Sequence, residues 1–121
     1  FFAAIQGNED FVELLLRFNP KIGAVDKLGS SPIYYAAAAN HVGVIKMLAV
    51  KGGDLDQQNR QGFTPLMVAA SEGHLSAVQI LIELKADTAT TDFTGRTAYD
   101  WAVRNKRRVV IRYLKSAGLG S

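Results

Sequence analysis

The chain contains no cysteine and only three prolines among its 121 residues. The first absence removes disulfides, cysteine zinc sites, iron-sulfur ligation and a thiolate nucleophile, while leaving the redox compartment open. No uninterrupted apolar run approaches the roughly 18 residues that a membrane-crossing helix requires. Neither sign of charge dominates, with 14 Lys and Arg against 11 Asp and Glu. The chain opens Phe1-Phe2-Ala3-Ala4 without a methionine or a basic flank, so no secretory signal is visible, and the expectation is an excised piece of something longer. What is present is apolar: 48% hydrophobic residues are too many for a disordered tail and suit one folded domain.

The formal net charge of +3 is unevenly spread. Residues 96–115 hold Arg96, Arg104, Lys106, Arg107, Arg108, Arg112 and Lys115 against the single acid Asp100, a local +6 that leaves −3 for the remainder. The protein is thus a slightly acidic body with a basic C-terminal end.

An internal period organises the chain. Asp26-Lys27-Leu28-Gly29 recurs as Asn59-Arg60-Gln61-Gly62 and as Asp92-Phe93-Thr94-Gly95, with the glycines 33 residues apart each time. After each glycine come Ser31-Pro32, Thr64-Pro65 or Thr97-Ala98, then Ala36-Ala37, Ala69-Ala70 or the single Ala102. Asn40-His41, Gly73-His74 and Lys106-Arg107 follow, then Leu48, Leu81 and Leu114. The same register places Ala3-Ala4, Gly7-Asn8 and Leu15 in an earlier copy.

Elementary stereochemistry explains the recurrence. Asp or Asn followed three residues later by Gly marks a tight turn ending at positive φ. Ser31, Thr64 and Thr97 stand where a hydroxyl caps a helix, and Pro32 and Pro65 fall at the first helical position, where a missing N–H costs nothing. A short helix ends at Gly7, Asn40 or Gly73, residues that tolerate the left-handed conformation, whereas Lys106 departs from that chemistry. Second helices are predicted at about 9–18, 42–51, 75–84 and 108–117 from apolar residues at helical spacing, such as Val44, Ile45 and Leu48. The alanines keep inner-helix side chains short, so that one helix pair stacks closely on the next.

This pattern resembles the ankyrin repeat over essentially the whole chain. Its most specific stretch, Gly62-Phe63-Thr64-Pro65-Leu66-Met67-Val68-Ala69-Ala70-Ser71-Glu72-Gly73-His74, is close to the family's G-x-T-P-L-H-x-A-A-x-x-G-H. The family histidine that bonds back to the threonine is replaced by Tyr34, Met67 and Asp100. The resemblance implies an all-α solenoid of stacked antiparallel helix pairs with hairpin loops, a single domain over 1–121 with repeats at about 1–25 (partial), 26–58, 59–91 and 92–118. It further implies an L-shaped array that binds proteins through hairpin tips and a concave face of first helices, and that catalyses nothing.

Carried over residue by residue, the partner-binding positions are Lys27, Leu28, Arg60, Gln61, Phe63, Phe93, Arg96 and Arg104. Phe63, Phe93 and Leu28 are apolar residues in loops that should be wet, flanked by Arg60 and Arg96. Aromatic and Arg side chains are what interface hot spots use, so a partner peptide with acidic and apolar groups fits. The alternative is packing of these rings on a neighbouring loop. Trp101 and Tyr99 read as core, packed against the third copy. His41 and His74, one repeat apart, read as structural hydrogen-bonding residues rather than metal ligands. No cofactor, metal or catalytic residue is expected, since nothing pairs a nucleophile with a base. Two further readings stand beside the interaction module. One is an electrostatic adaptor whose basic last repeat docks an acidic partner, anionic lipid or nucleic acid, although solubility of a terminal repeat also accounts for that charge. The other is a spacer or self-association element of a larger repeat protein. A monomeric segment at a cytoplasmic or nuclear address is the expectation.

Overall fold

The computed structural model describes residues 31–119. The partial first repeat, Lys27 and Leu28 lie outside the described residues. Within them are six helices and no strand: α1 (Pro32–Ala38), α2 (Val42–Val50), α3 (Pro65–Glu72), α4 (Leu75–Glu83), α5 (Ala98–Arg104) and α6 (Arg108–Ser116).

Each inner helix starts as the sequence predicts. The hydroxyls of Ser31, Thr64 and Thr97 accept from the backbone N–H groups of Tyr34, Met67 and Asp100 at 3.3, 3.2 and 3.2 Å. Asp100 adds a reciprocal bond, its carboxylate accepting from the Thr97 N–H at 3.0 Å. The last repeat thereby closes a capping box in place of the family's histidine bond, two otherwise orphaned donors being satisfied together.

The inner helices stop at a left-handed residue: φ is 60° at Asn40, 78° at Gly73 and 57° at Lys106. Lys106 therefore adopts the glycine conformation although its type does not favour it. The next N–H in each case, from His41, His74 or Arg107, reaches back to the carbonyl of Ala36, Ala69 or Ala102 at 2.9 Å. This reverse turn covers the helix end and launches the second helix antiparallel to the first.

Inner helices stack as α1 on α3 on α5, and outer helices as α2 on α4 on α6. Ala36, Ala37, Ala69, Ala70 and Ala102 are 0% exposed, as close approach of the inner helices demands. The larger apolar side chains come from both helices of each pair: Ile33, Leu66 and Met67 from the inner ones, and Val44, Ile45, Leu48, Val78, Leu81, Val110 and Leu114 from the outer ones. At about 25 cal/mol per Å² of apolar surface removed from water, this burial drives the stacking. No helix among the described residues is long and apolar enough to cross a membrane.

Candidate functional site

Two hairpins project between the helix pairs, and each is organised by one side chain at its base. Asn59 N–H donates to the Phe63 carbonyl and Asp92 N–H to the Arg96 carbonyl, both at 2.9 Å. Asn59 Oδ1 accepts from the N–H groups of Gln61 and Phe63 at 2.9 and 3.0 Å. Asp92 Oδ1 does the same for Thr94 and Arg96, both at 2.9 Å, and also accepts the Thr94 hydroxyl at 2.6 Å. Gly62 and Gly95, at φ 82° and 84°, complete the turns.

The hairpins are locked to each other as well as internally. Phe93 N–H donates to the Gln61 carbonyl at 3.3 Å. Gln58 Nε2 donates to the carbonyls of Gly62 and Thr91 at 3.0 and 2.9 Å, bridging one repeat to the next. A Cβ added at Gly62 would lie 2.7 Å from both the backbone nitrogen and the ring of Phe93, so glycine is required there for approach as well as for φ.

Where the second hairpin meets α5, a compact arrangement forms around Trp101. The indole N–H donates to Asp92 Oδ2 at 2.8 Å. The Phe63 ring of the preceding repeat lies 5.1 Å from the indole, tilted by 53°. The guanidinium carbons of Arg96 and Arg104 stand 5.4 and 5.9 Å from the indole centroid, within cation–π range. Asp92 is 4% exposed. Burial pushes its carboxyl up, but donors from the Thr94 hydroxyl, the Arg96 N–H, Trp101 and the Thr94 N–H together outweigh it and hold the pKa at about 2. An ionised carboxylate thus anchors the Trp101 side chain from beneath.

The six described candidates from the sequence divide clearly. Phe63, Arg96 and Arg104 converge on Trp101. Phe93 is joined to Gln61 through the backbone, and its side chain is 71% exposed. Arg60 and Gln61 are exposed on the first hairpin. Phe63 is half-buried and packs on the core and on Trp101, so part of its ring is taken up by intramolecular packing. Trp101 is the residue that sequence reasoning misplaced. It does pack against the third copy, through Phe63, but it is half-buried and lies outside the core. Its equivalent positions hold Tyr35 and Val68. The missed signal was the pairing of a loop Phe with a Trp one repeat later, beside an acid in place of Asn59.

Two basic or imidazole side chains are structural. His74 Nε2 lies 3.0 Å from the Ala38 carbonyl, and Arg107, one repeat later, donates from Nε to the Ser71 carbonyl at 2.8 Å. Asn105 Nδ2 joins it by donating to Ser71 O and Oγ at 3.1 and 2.7 Å. Arg107 is therefore an inter-repeat tie rather than a free cation. Among the described residues no group of three or more His, Cys, Asp or Glu side chains converges as metal ligands.

Stacked helix pairs joined by interlocked hairpins, with a polar and aromatic surface along one edge, define a repeat solenoid of the protein-interaction class. The family model for ankyrin repeats (3 copies) matches residues 1–92 and again 43–120, and the chain belongs to that family. It is 32% identical, over 97% of its length, to the probable E3 ubiquitin-protein ligase XBOS33 of Oryza sativa subsp. japonica, of which it covers 24%. It is 41% identical over 65% of its length to ankyrin repeat domain-containing protein 63 of Mus musculus, covering 21% of that protein. To the tyrosine-protein kinase Shark of Drosophila melanogaster it is 28% identical over 93% of its length, covering 12%. The chain thus spans a quarter or less of these relatives. Ligase, kinase and repeat protein share this domain, which is a non-enzymatic interaction fold that binds protein partners.

Proposed function

We propose that the domain is a preformed platform for a partner peptide carrying acidic and apolar side chains, which lies across the hairpins at 59–63 and 92–96 and the inner-helix face beside Trp101. The observation that carries this reading is the Trp101 arrangement. Arg96 and Arg104 are both held over one ring, and neither is paired with a carboxylate among the described residues. Beside them Phe93 exposes 71% of its surface. Guanidinium groups oriented on an aromatic face are offered to an acidic side chain with little rotamer entropy left to lose. An exposed phenyl ring supplies the adjoining apolar contact. The hairpin lattice keeps the whole edge rigid, which supports recognition without ordering.

A photo-crosslinking amino acid placed at Phe93, compared with the same probe at Val50, tests the assignment. Val50 is 82% exposed on the outer helix α2. Partner crosslinks from position 93 and none from position 50 are expected. Equal yields, or crosslinks from position 50 alone, would place the partner elsewhere.

A further inference from the structure

The last repeat shows what its neighbours hide. Ala37 and Ala70 are each 0% exposed because the following repeat covers them, while the equivalent residue on α5, Val103, is 47% exposed. Ile45 and Val78 are likewise 0% exposed, and their equivalent Ile111 on α6 is half-buried. Ile33 and Leu66, at 1% each, correspond to half-buried Tyr99. Tyr99, Val103 and Ile111 therefore form an apolar strip where the inner repeats have an interface.

The residues bordering that strip have changed chemistry. Half-buried Val42 and Leu75 correspond to exposed Arg108, and half-buried Ala49 and Ile82 to exposed Lys115. Neither cation has an acidic partner among the described residues. The alanine that permits close stacking has become Val103, whose larger side chain holds an occupant further off.

We infer that this end face of α5 and α6 is a second docking surface, for an amphipathic helix of a partner protein that bears an apolar ridge flanked by Glu or Asp. The apolar strip continues the geometry of the established inter-repeat interfaces, where a helix is the occupant. The cations at its border specify acids on that helix. A second copy of this chain would bring Arg108 and Lys115 against the same like charges. A further repeat with the inner repeats' apolar residues would leave both cations buried and unpaired, which costs several kcal/mol. A lipid headgroup layer or a phosphate backbone uses the cations but not the recessed Tyr99 and Ile111.

The test is fluorescence anisotropy of the 121-residue chain with a labelled synthetic helical peptide carrying a Leu ridge flanked by Glu, beside a scrambled peptide of equal composition. Vesicles rich in phosphatidylserine and a DNA duplex form parallel arms. Saturable binding of the amphipathic peptide is expected, weakened about tenfold or more by Arg108→Glu with Lys115→Glu. Val103→Asp is expected to abolish it, and Val50→Asp, the same change on the exposed face of α2, to leave it unchanged, which ties the binding to this end face. Unaltered far-UV circular dichroism of the variants confirms that folding is intact, as the exposure of all three residues leads one to expect. No binding, equal binding of the scrambled peptide, indifference to the charge reversals, or preference for vesicles or DNA overturns the inference.

Discussion

Trp101 donates its indole N–H to Asp92 Oδ2 at 2.8 Å, so one carboxylate serves two structures at once: Oδ1 closes the second hairpin and Oδ2 orients the inner-helix aromatic. In the preceding repeat Asn59 Oδ1 closes the hairpin in the same way. What sets position 92 apart is the indole donor facing Oδ2, which an acid can accept.

Asp92→Asn keeps an oxygen for the hairpin but turns an amide donor toward the indole donor. A loss of about 1–3 kcal/mol is expected, the cost of a buried polar group left unsatisfied. Asp92→Ala, which removes both acceptors, is expected to cost more. Urea denaturation of the two variants beside the wild type orders them, and an unchanged midpoint for Asp92→Asn contradicts the shared role of Asp92.

Acid should weaken the fold through the same group. The Asp92 pKa is lowered in the folded state from 3.8 to about 2, so its contribution is fully present above the ordinary value and disappears as pH falls from about 4 to about 2. Solvent screening at this surface hairpin keeps the effect below the roughly 2 kcal/mol that a shift of this size represents for a fully shielded group. Stability measured between pH 5 and 2 should fall more steeply in the wild type than in Asp92→Asn. Parallel curves would assign the acid sensitivity to other carboxylates.

Lys106 occupies a left-handed position, φ 57°, that Gly73 fills in the preceding repeat, and its side chain is exposed. Lys106→Gly removes the steric penalty of Cβ there, partly offset by the greater freedom of glycine in the unfolded chain. A net gain of roughly 1 kcal/mol is expected, visible as a raised melting temperature. A lower melting temperature shows that the lysine side chain contributes more than its backbone strain.

Arg107 and Arg112 are both exposed cations of the last repeat, yet only Arg107 donates to Ser71. Arg107→Ala is expected to destabilise by about 1 kcal/mol, and Arg112→Ala to stay within about 0.5 kcal/mol. Thermal melts of the two variants decide this, equal effects counting against the tie.

Much of the local architecture was legible from residue types alone. The hydroxyl caps at Ser31, Thr64 and Thr97, the glycine turns and the helix bounds follow from interactions a few residues apart, which a linear pattern records directly. The replacement of the family histidine by Asp100 was visible, but not its consequence. That required seeing the carboxylate fold back on the Thr97 N–H. Lys106 shows the opposite case, in which the reverse turn to Ala102 imposes a conformation that its residue type disfavours.

The sequence by itself determined the repeat, its period, the all-α class and the family, because each unit is built from short-range caps, turns and alanine spacing. It also brought Phe63, Phe93, Arg96 and Arg104 forward as surface residues. Only the tertiary structure decided that Phe63, Arg96 and Arg104 converge on Trp101, that Arg107 is a tie while Arg108 and Lys115 are free of acidic partners among the described residues, and that Val103 lies open. Those distinctions depend on which side chain of one repeat meets which of the next. Such contacts span about one full repeat and are set by the stacking of helices, not by any local pattern.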